Sequence, residues 1–281
     1  MRRQSILMPG SEMSDRRIRR IFSQGRLALA FVTCALLAGA GLRGQTAPDS
    51  ETYISTDRPS VANSSVVVPR GDFQVENGLL VTDTQRQTIL DLPESDWRFG
   101  LLDKTELRLS VPDYFYGISG PGVGPSGFGD MAVGVKQQLG PTPGNFNLSA
   151  IVFVSFPTGT RNISSGGYDP GLQLPWSRQL SANWTAGGQV AFYWPTERTR
   201  NFTGETTFFL DRQLTKPWDA FVEYAGDFPH RGGSRQILHF GSSYKLSPRQ
   251  QIDFQIAAGL SPAAPHMFVG VGYSFLLRVP K

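Results

Sequence analysis

The chain has 281 residues, with 31 glycines, 20 prolines and 11% aromatic residues, a composition typical of many short strands joined by turns. Its formal charge of +4 comes from the N-terminus, because residues 1–44 hold eight of the 27 basic residues and only two of the 23 acidic ones. The remainder carries 19 basic and 21 acidic groups, about −2, which argues against a nucleic-acid-binding face. No apolar run reaches the roughly 18 to 20 residues that a spanning helix needs, so a membrane protein of this sequence is expected to be a β-barrel.

Residues 1–44 have the pattern of a secretory signal peptide. An arginine-rich stretch, Asp15 to Arg26, precedes an apolar stretch from Leu27 to about Leu37, and small residues follow at Ala38-Gly39-Ala40. We therefore predict cleavage near Ala40 to Gly44 and export from the cytoplasm. Translation from Met13 would give a more usual signal length, and the alternative is an uncleaved membrane anchor.

Cys34 is the only cysteine and lies within the apolar stretch of this signal. Phe31-Val32-Thr33 before it does not match the Leu-x-Gly-like motif of a lipoprotein acceptor. The mature chain is therefore predicted to contain no thiol, which excludes disulfides and cysteine-based metal or nucleophile chemistry.

Residues 45–70 are polar, contain three prolines and show little periodicity, so we interpret them as a lead segment that is either periplasmic or enters a barrel lumen. From Gly71 onward, apolar and polar residues alternate with a period of two, as in Gln251 to Ile256. This pattern predicts twelve strands, at 71–82, 87–101, 104–112, 126–139, 145–156, 169–180, 183–194, 203–213, 217–226, 235–246, 249–260 and 266–276. The run over 83–101 is broken at Pro93-Glu94-Ser95 and fits either one bulged strand or two short ones.

Short and long connections alternate between these predicted strands. The short turns are expected at 102–103, 140–144, 181–182, 214–216 and 247–248, and the longer loops at 113–125, 157–168, 195–202, 227–234 and 261–265. An even strand count with tight turns at one end and long loops at the other is the arrangement of outer-membrane barrels. Runs of ten to twelve residues also match the length of a tilted membrane-crossing strand. Aromatic residues near the strand ends predict interfacial girdles, although core packing would place aromatics there too.

If the apolar face of each strand contacts lipid, the polar partners face the barrel interior. A mid-strand basic residue facing hydrocarbon would cost roughly 2–4 kcal/mol, so we predict a lumen network of mixed sign. Two roles are open for it, to brace a narrow barrel or to select what passes. The predicted lumen-facing residues are Glu76, Arg98, Glu106, Arg108, Asp130, Lys136, Glu223, His239 and Asp253.

Several short motifs, in this order and spacing, resemble the meta-pathway phenol-degradation family of bacterial outer-membrane barrels, often described simply as transporters. The likeness covers roughly 55–277 and implies a closed barrel associated with degradation or uptake of aromatic compounds, without an enzymatic step. The chain departs from many barrels in running past Phe275 rather than ending on an aromatic residue. The motifs are Asp57-Arg58-Pro59, Gly71 to Gly78, Trp97 to Leu101, Glu106 to Leu109, Ser126 to Asp130 with Val135-Lys136, Phe156 to Thr160, Phe221 to Tyr224 and Gln251 to Asp253.

The sequence gives little support for catalysis or for a bound cofactor. The histidines are His230, His239 and His266, and none has a serine two residues later, the spacing of known outer-membrane lipid hydrolases. No His or Cys cluster has metal-ligand spacing, and Gly127-Phe128-Gly129 precedes no helix pattern that would make a phosphate loop. We therefore expect no catalytic, metal or cofactor site.

Three functions are considered on this basis. The first is a channel or transporter-type barrel for small, aromatic or otherwise apolar compounds. The second is a structural or interaction barrel whose external loops form the working surface, and the third is an outer-membrane lipid-modifying enzyme. The expected partners are outer-membrane lipid, the barrel-insertion machinery and a small-molecule solute whose identity the sequence leaves open; nucleic acid is not expected.

Overall fold

The computed structural model describes residues 53–119, 126–197 and 199–278. The predicted signal peptide with Cys34, the first part of the lead segment and part of the 113–125 loop lie outside these ranges. Within these ranges, twelve antiparallel barrel strands follow one another in chain order. They are β1 (Asp72–Asp83), β2 (Thr88–Leu92 and Asp96–Leu102), β3 (Thr105–Ser110 and Tyr114–Ser119), β4 (Gly127–Phe128 and Met131–Gln138), β5 (Phe146–Phe156), β6 (Asp169–Ser181), β7 (Trp184–Tyr193), β8 (Thr203–Thr215), β9 (Trp218–Pro229), β10 (Arg235–Ser247), β11 (Gln250–Gly259) and β12 (Met267–Arg278).

Each strand pairs with its neighbours in the sequence, and β1 closes the sheet by pairing with β12. This closing pair is continuous from Asp72 opposite Arg278 to Asp83 opposite Met267. Closure leaves no free sheet edge, which is the condition for a sheet to cross a bilayer. The predicted closed antiparallel barrel of about twelve strands is confirmed.

Strands β2 and β3 are interrupted near their middle, and β4 is interrupted near its start. Pro93 has no N–H to donate, so the ladder of β2 breaks there and both of its segments pair with β1. The breaks are bridged by other bonds: the backbone N–H of Val111 donates to the Ser95 carbonyl at 2.9 Å, and that of Gly129 to the Asp113 carbonyl at 2.7 Å. The interrupted run at 83–101 is therefore one barrel strand in two segments, preceded by a tight turn.

The outer surface of the barrel is apolar and the inner surface is polar, the inverse of a water-soluble protein. On β5, Val152 is 62% exposed while Ser149 on the opposite face is fully buried. The same alternation places Leu107, Val135 and Phe254 outside. A band of this kind matches hydrocarbon and not water. Among the described residues, no helix is long and apolar enough to cross a membrane.

Tight turns join the strands at one end of the barrel, and we call this the short-turn end. It includes the β2–β3 turn at Asp103 and the β10–β11 turn at Pro248. The longer connections, including 157–168, lie at the other end, together with the tight β1–β2 turn at 84–87. The lead segment joins β1 at Asp72, so it comes into the barrel from the short-turn end.

Candidate functional site

Residues 54–68, which we call the lumen segment, lie inside the barrel. The Ile54 N–H donates to the carbonyl of Pro248 at 2.8 Å, at the short-turn end. The other end of the segment is held where the Val68 N–H donates to the Glu106 carboxylate at 2.7 Å. Between these points the segment has no regular secondary structure, so its backbone groups form hydrogen bonds with side chains of the inner wall. The segment therefore follows that wall.

A cluster of six charged groups joins the lumen segment to β1, β2, β3 and β4. Arg98 has the central position, with its guanidinium 2.8 Å from Glu76 and 3.0 Å from Glu106. Arg108 lies 2.9 Å from Glu106 and also contacts Asp57 of the lumen segment. Three acids and three bases balance one another, which compensates the large cost of burying each charge. We call this the charge cluster: Asp57, Glu76, Arg98, Glu106, Arg108 and Lys136.

Lys136 has a looser position in the charge cluster than the two arginines. Its ammonium lies 3.7 Å from Asp57 and 3.8 Å from Glu106 and makes no hydrogen bond to a described residue, although the side chain is fully buried. Its contribution is therefore that of a point charge, whereas the arginines also fix geometry through several donors each.

Arg58 makes a second set of ion pairs at the closing strands. Its guanidinium lies 2.6 Å from Glu94 and 3.1 Å from Asp253, and it donates to the carbonyl of Val271 at 3.2 Å. The side chain lies across Gly78 and Gly272, where a Cβ atom would overlap the guanidinium. Glycine at these two positions gives Arg58 the room to lie flat against the wall.

Glu223 on β9 is the third attachment point. Its carboxylate accepts hydrogen bonds from the Ser60 hydroxyl at 2.8 Å and from the backbone N–H groups of Val61 and Ala62 at 2.8 and 3.0 Å. The same carboxylate lies 2.8 Å from Nδ1 of His239. Backbone donors aimed at one carboxylate make strong, charge-assisted hydrogen bonds. The lumen segment is thus held by acids on β1, β3 and β9.

The two ionisable groups of the lumen segment are both shifted toward their charged forms. Burial would raise the pKa of the Asp57 carboxyl, but Arg108, Arg98 and Lys136 hold that pKa well below its usual range. Burial would lower the pKa of the Arg58 guanidinium, but the carboxylates of Glu94 and Asp253 raise it above its usual value. Both groups therefore stay ionised in the barrel, and each depends on its partners to do so.

The interior is less densely filled on the side of β6 to β11. Several contacts of the lumen segment here are neutral, such as the Asn63 amide with the Gln189 amide oxygen at 2.8 Å and Ser65 with Ser177 at 2.7 Å. A cavity of about 310 Å³ lies between the lumen segment and this wall. Its volume is in the range of roughly 300 to 1,000 Å³ typical of small-molecule sites. The wall residues around it include Thr185, Phe209, Asp211, Asp219, Phe221, Ser243 and Lys245.

All nine residues expected to face the lumen have buried side chains, and eight of them surround the lumen segment. The exception is Asp130, whose carboxylate accepts from the backbone N–H groups of Gly159 and Ser165 at 2.9 Å each. Asp130 therefore holds the 157–168 loop against the barrel. The alternation pattern predicts no lumen position for Asp57, Arg58 or Glu94, although the first two belong to the Asp57-Arg58-Pro59 motif of the family.

The geometry around His239 does not form a hydrolytic triad. Its ring is enclosed by Phe221 and Phe268, with centroid distances of 5.4 and 5.3 Å, and its Nε2 atom has no hydrogen-bond partner in the part of the chain that the structure describes. Ser60 bonds to Glu223 and not to the imidazole. Within the described ranges, no group of three His, Cys, Asp or Glu residues has a metal-binding arrangement.

A closed barrel of twelve strands with an apolar outer surface and a polar, charged interior defines the chain as an outer-membrane β-barrel. The sequence matches the family model described as "Putative MetA-pathway of phenol degradation" over residues 56–277, and the chain belongs to this family. The resemblance found in the sequence motifs is thereby confirmed. No curated protein matches the sequence.

Solved outer-membrane channels share this fold at low sequence identity. A crystal structure of an outer-membrane channel from Pseudomonas putida F1 aligns with a TM-score of 0.58 and 13% identity, over 76% of this chain and 98% of that one. The KdgM porin, solved in complex with disordered oligogalacturonate, aligns with a TM-score of 0.51 and 10% identity, over 72% of this chain and 98% of that one. At these identities the similarity shows the fold.

Proposed function

We propose that the protein is an outer-membrane channel that passes or binds small aromatic or otherwise apolar compounds. The observation that carries this proposal is the 310 Å³ cavity between the lumen segment and the wall of β6 to β11, inside a barrel whose outer face matches lipid. The family description supports an association with aromatic compounds. In this proposal the partners are outer-membrane lipid, the barrel-insertion machinery that follows export by a cleaved signal peptide, and a small solute.

The lumen segment closes the part of the interior that lies beside the charge cluster and Glu223, and this determines how transport would work. Arg98, Glu106, Lys136 and Glu223 are fully buried there, so no wide aqueous path passes between the segment and these side chains. We infer that flux is limited by the lumen segment. Conductance should therefore be small in the unmodified barrel and should rise when the attachments of the segment are weakened.

Single-channel recording and liposome swelling with the refolded full chain test this function. We expect small conductance steps and measurable uptake of small aromatic solutes. Absence of both conductance and solute flux, in a barrel that shows heat-modifiable migration on a gel, would contradict the proposal. Migration establishes that the barrel has folded, so a negative result cannot be attributed to misfolding.

A second function, a structural or interaction barrel, is favoured by the same buried charge cluster. Three acidic and three basic groups in one network brace a narrow barrel effectively. In that case the working surface would be the external loops, including 157–168, which Asp130 holds in place. Deleting residues 157–168 would then abolish an interaction while leaving permeability unchanged, whereas a channel whose outer mouth this loop narrows would change its conductance.

A further inference from the structure

The cavity beside the lumen segment has two aromatic rings on its wall. Phe209 and Phe221 lie with their ring centroids 6.4 Å apart in an edge-to-face arrangement. Each ring covers a glycine on the neighbouring strand, since a Cβ at Gly187 or Gly241 would overlap it. The rings therefore lie along the wall instead of projecting across the lumen, and they leave an apolar surface against which a further ring could pack.

Three charged residues line the same cavity toward the short-turn end. The Lys245 ammonium pairs with the carboxylate of Asp219 and lies 3.3 Å from the hydroxyl of Ser243. Asp211 is a third charged group of this wall and interacts electrostatically with the same ammonium of Lys245. One lysine faces two aspartates here, so the three residues together carry a formal charge of −1. Asp57 and Arg58 also line the cavity, but they cancel each other and are paired elsewhere.

We propose that this cavity binds a small neutral or cationic aromatic compound that carries a hydrogen-bond donor, with Asp211 as the acceptor. The ring would pack against Phe209 and Phe221, and its hydroxyl or ammonium would donate to the Asp211 carboxylate in a charge-assisted bond. An aromatic carboxylate would add a second negative charge to a cavity wall that already carries −1 and is excluded. This inference rests on the proposed function and adds the position of the solute site and the charge that it selects.

A single reporter thiol can test the site. Thr185 lines the cavity and lies directly opposite Asp211 on the neighbouring strand. Thr185→Cys in a Cys34→Ser background places one thiol there, and its alkylation by iodoacetamide is timed with benzylamine, phenol or benzoate present. We expect benzylamine and phenol to slow alkylation, and about tenfold more benzoate to be needed for the same effect, because like charges repel across a partly desolvated cavity. Ser181→Cys, exposed at the same end of the barrel, should react at one rate in all three solutions.

Asp211→Asn identifies the residue responsible. The amide keeps the size and one acceptor but removes the charge, so the discrimination between benzylamine and benzoate should fall to about twofold or less. Asp103→Asn, an exposed acid in the β2–β3 turn, should leave it unchanged. The proposal is overturned if benzoate protects as well as benzylamine, if none of the three protects, or if Asp211→Asn retains the discrimination. Folding of each variant is checked by heat-modifiable migration.

Conductance separates this inference from the proposed function. If phenol slows alkylation of Thr185→Cys in a barrel that never conducts, the result supports the binding site and contradicts the channel function. Conductance without protection by any probe would keep the channel and contradict the site.

Discussion

The imidazole Nδ1 of His239 and the carboxylate Oε2 of Glu223 lie 2.8 Å apart, with both side chains fully buried. The same carboxylate accepts three hydrogen bonds from Ser60, Val61 and Ala62. A side chain on β10 thus orients the group on β9 that holds the lumen segment. His239 is therefore assigned a positioning role here, since its ring contacts Phe221 and Phe268 and no serine hydroxyl.

Replacing Glu223 should release this part of the lumen segment. The two oxygens of the Glu223 carboxylate serve four groups, namely the Ser60 hydroxyl, the N–H groups of Val61 and Ala62, and the His239 ring. Glu223→Gln leaves only one acceptor oxygen, so at least one buried N–H loses its partner, at a cost of roughly 1–3 kcal/mol. We expect larger conductance steps and faster proteolysis within residues 54–68. Asp227→Asn is the matched control, because Asp227 lies on the same strand but pairs with Arg235 at 3.1 Å, away from the segment. Equal conductance in Glu223→Gln and the unmodified chain would show that the segment does not limit flux.

Docking of the lumen segment should weaken in acid. The pKa of Asp57 in the barrel lies well below its ordinary value of 3.8 because Arg108, Arg98 and Lys136 surround it. A carboxyl whose pKa is lower in the folded barrel than in the unfolded chain stabilises the folded state. This stabilisation is fully present above the pKa of the unfolded chain and is lost as the pH falls through the pKa of the folded barrel. The neighbouring arginines and lysine stay protonated throughout this range.

The measurement is conductance and protease sensitivity of the segment between pH 7 and pH 3. Both should be constant down to about pH 4 and rise below it. Asp57→Asn removes the titrating group, so its segment should be loosened at neutral pH and change less on acidification. An unchanged acid response in Asp57→Asn would assign the effect to other carboxyl groups of the charge cluster.

Much of the barrel is predictable from the sequence because alternation is a local signal. The predicted strand at 235–246 matches β10 (Arg235–Ser247), and that at 145–156 matches β5 (Phe146–Phe156). The inward positions of charged residues such as Glu106 and Arg108 follow from the same alternation, since residues two apart along a strand lie on the same face of the sheet. Closure and strand number come from the even spacing of these runs.

The path of the lumen segment could not be predicted, for a physical reason. Residues 54–68 have no periodicity, and their partners lie far away in the sequence, as with Arg58 and Asp253, which are 195 residues apart. Only the assembled barrel brings these groups together. The position of Glu94 could not be predicted for a related reason. It lies in the break of β2, where the alternation does not indicate whether a side chain faces the lumen or the lipid.

Glycines under aromatic rings should be less tolerant of substitution than other barrel glycines. Gly241→Ala would place a Cβ against the Phe221 ring, which in turn contacts His239. We expect a loss of roughly 1–3 kcal/mol in stability, typical of overpacking. Gly204→Ala is the control, because its Cβ would meet no atom within 4 Å. The temperature at which heat-modifiable migration is lost should fall for Gly241→Ala only. Equal shifts of this temperature in the two variants would mean that strand propensity, and not packing against the ring, causes the loss of stability.

The apolar outer face predicts a strong depth-dependent penalty for charge. Val152 is 62% exposed near the middle of β5, with the apolar side chains of Val135 and Leu172 opposite it on the neighbouring strands. Val152→Arg should cost roughly 2–4 kcal/mol if this position lies near the bilayer midplane. The same change in a water-facing position would cost almost nothing, since surface substitutions usually stay within about 0.5 kcal/mol.

Equilibrium folding into lipid vesicles as a function of urea measures this penalty. Val152→Leu keeps the apolar surface and serves as the control, so its unfolding midpoint should match that of the unmodified chain. Tyr168→Arg, at an exposed residue just before β6 at the long-loop end, should shift the midpoint much less than Val152→Arg because the penalty falls toward the interface. A Val152→Arg barrel as stable in lipid as the unmodified one would place the outer face of β5 in water and contradict the membrane assignment.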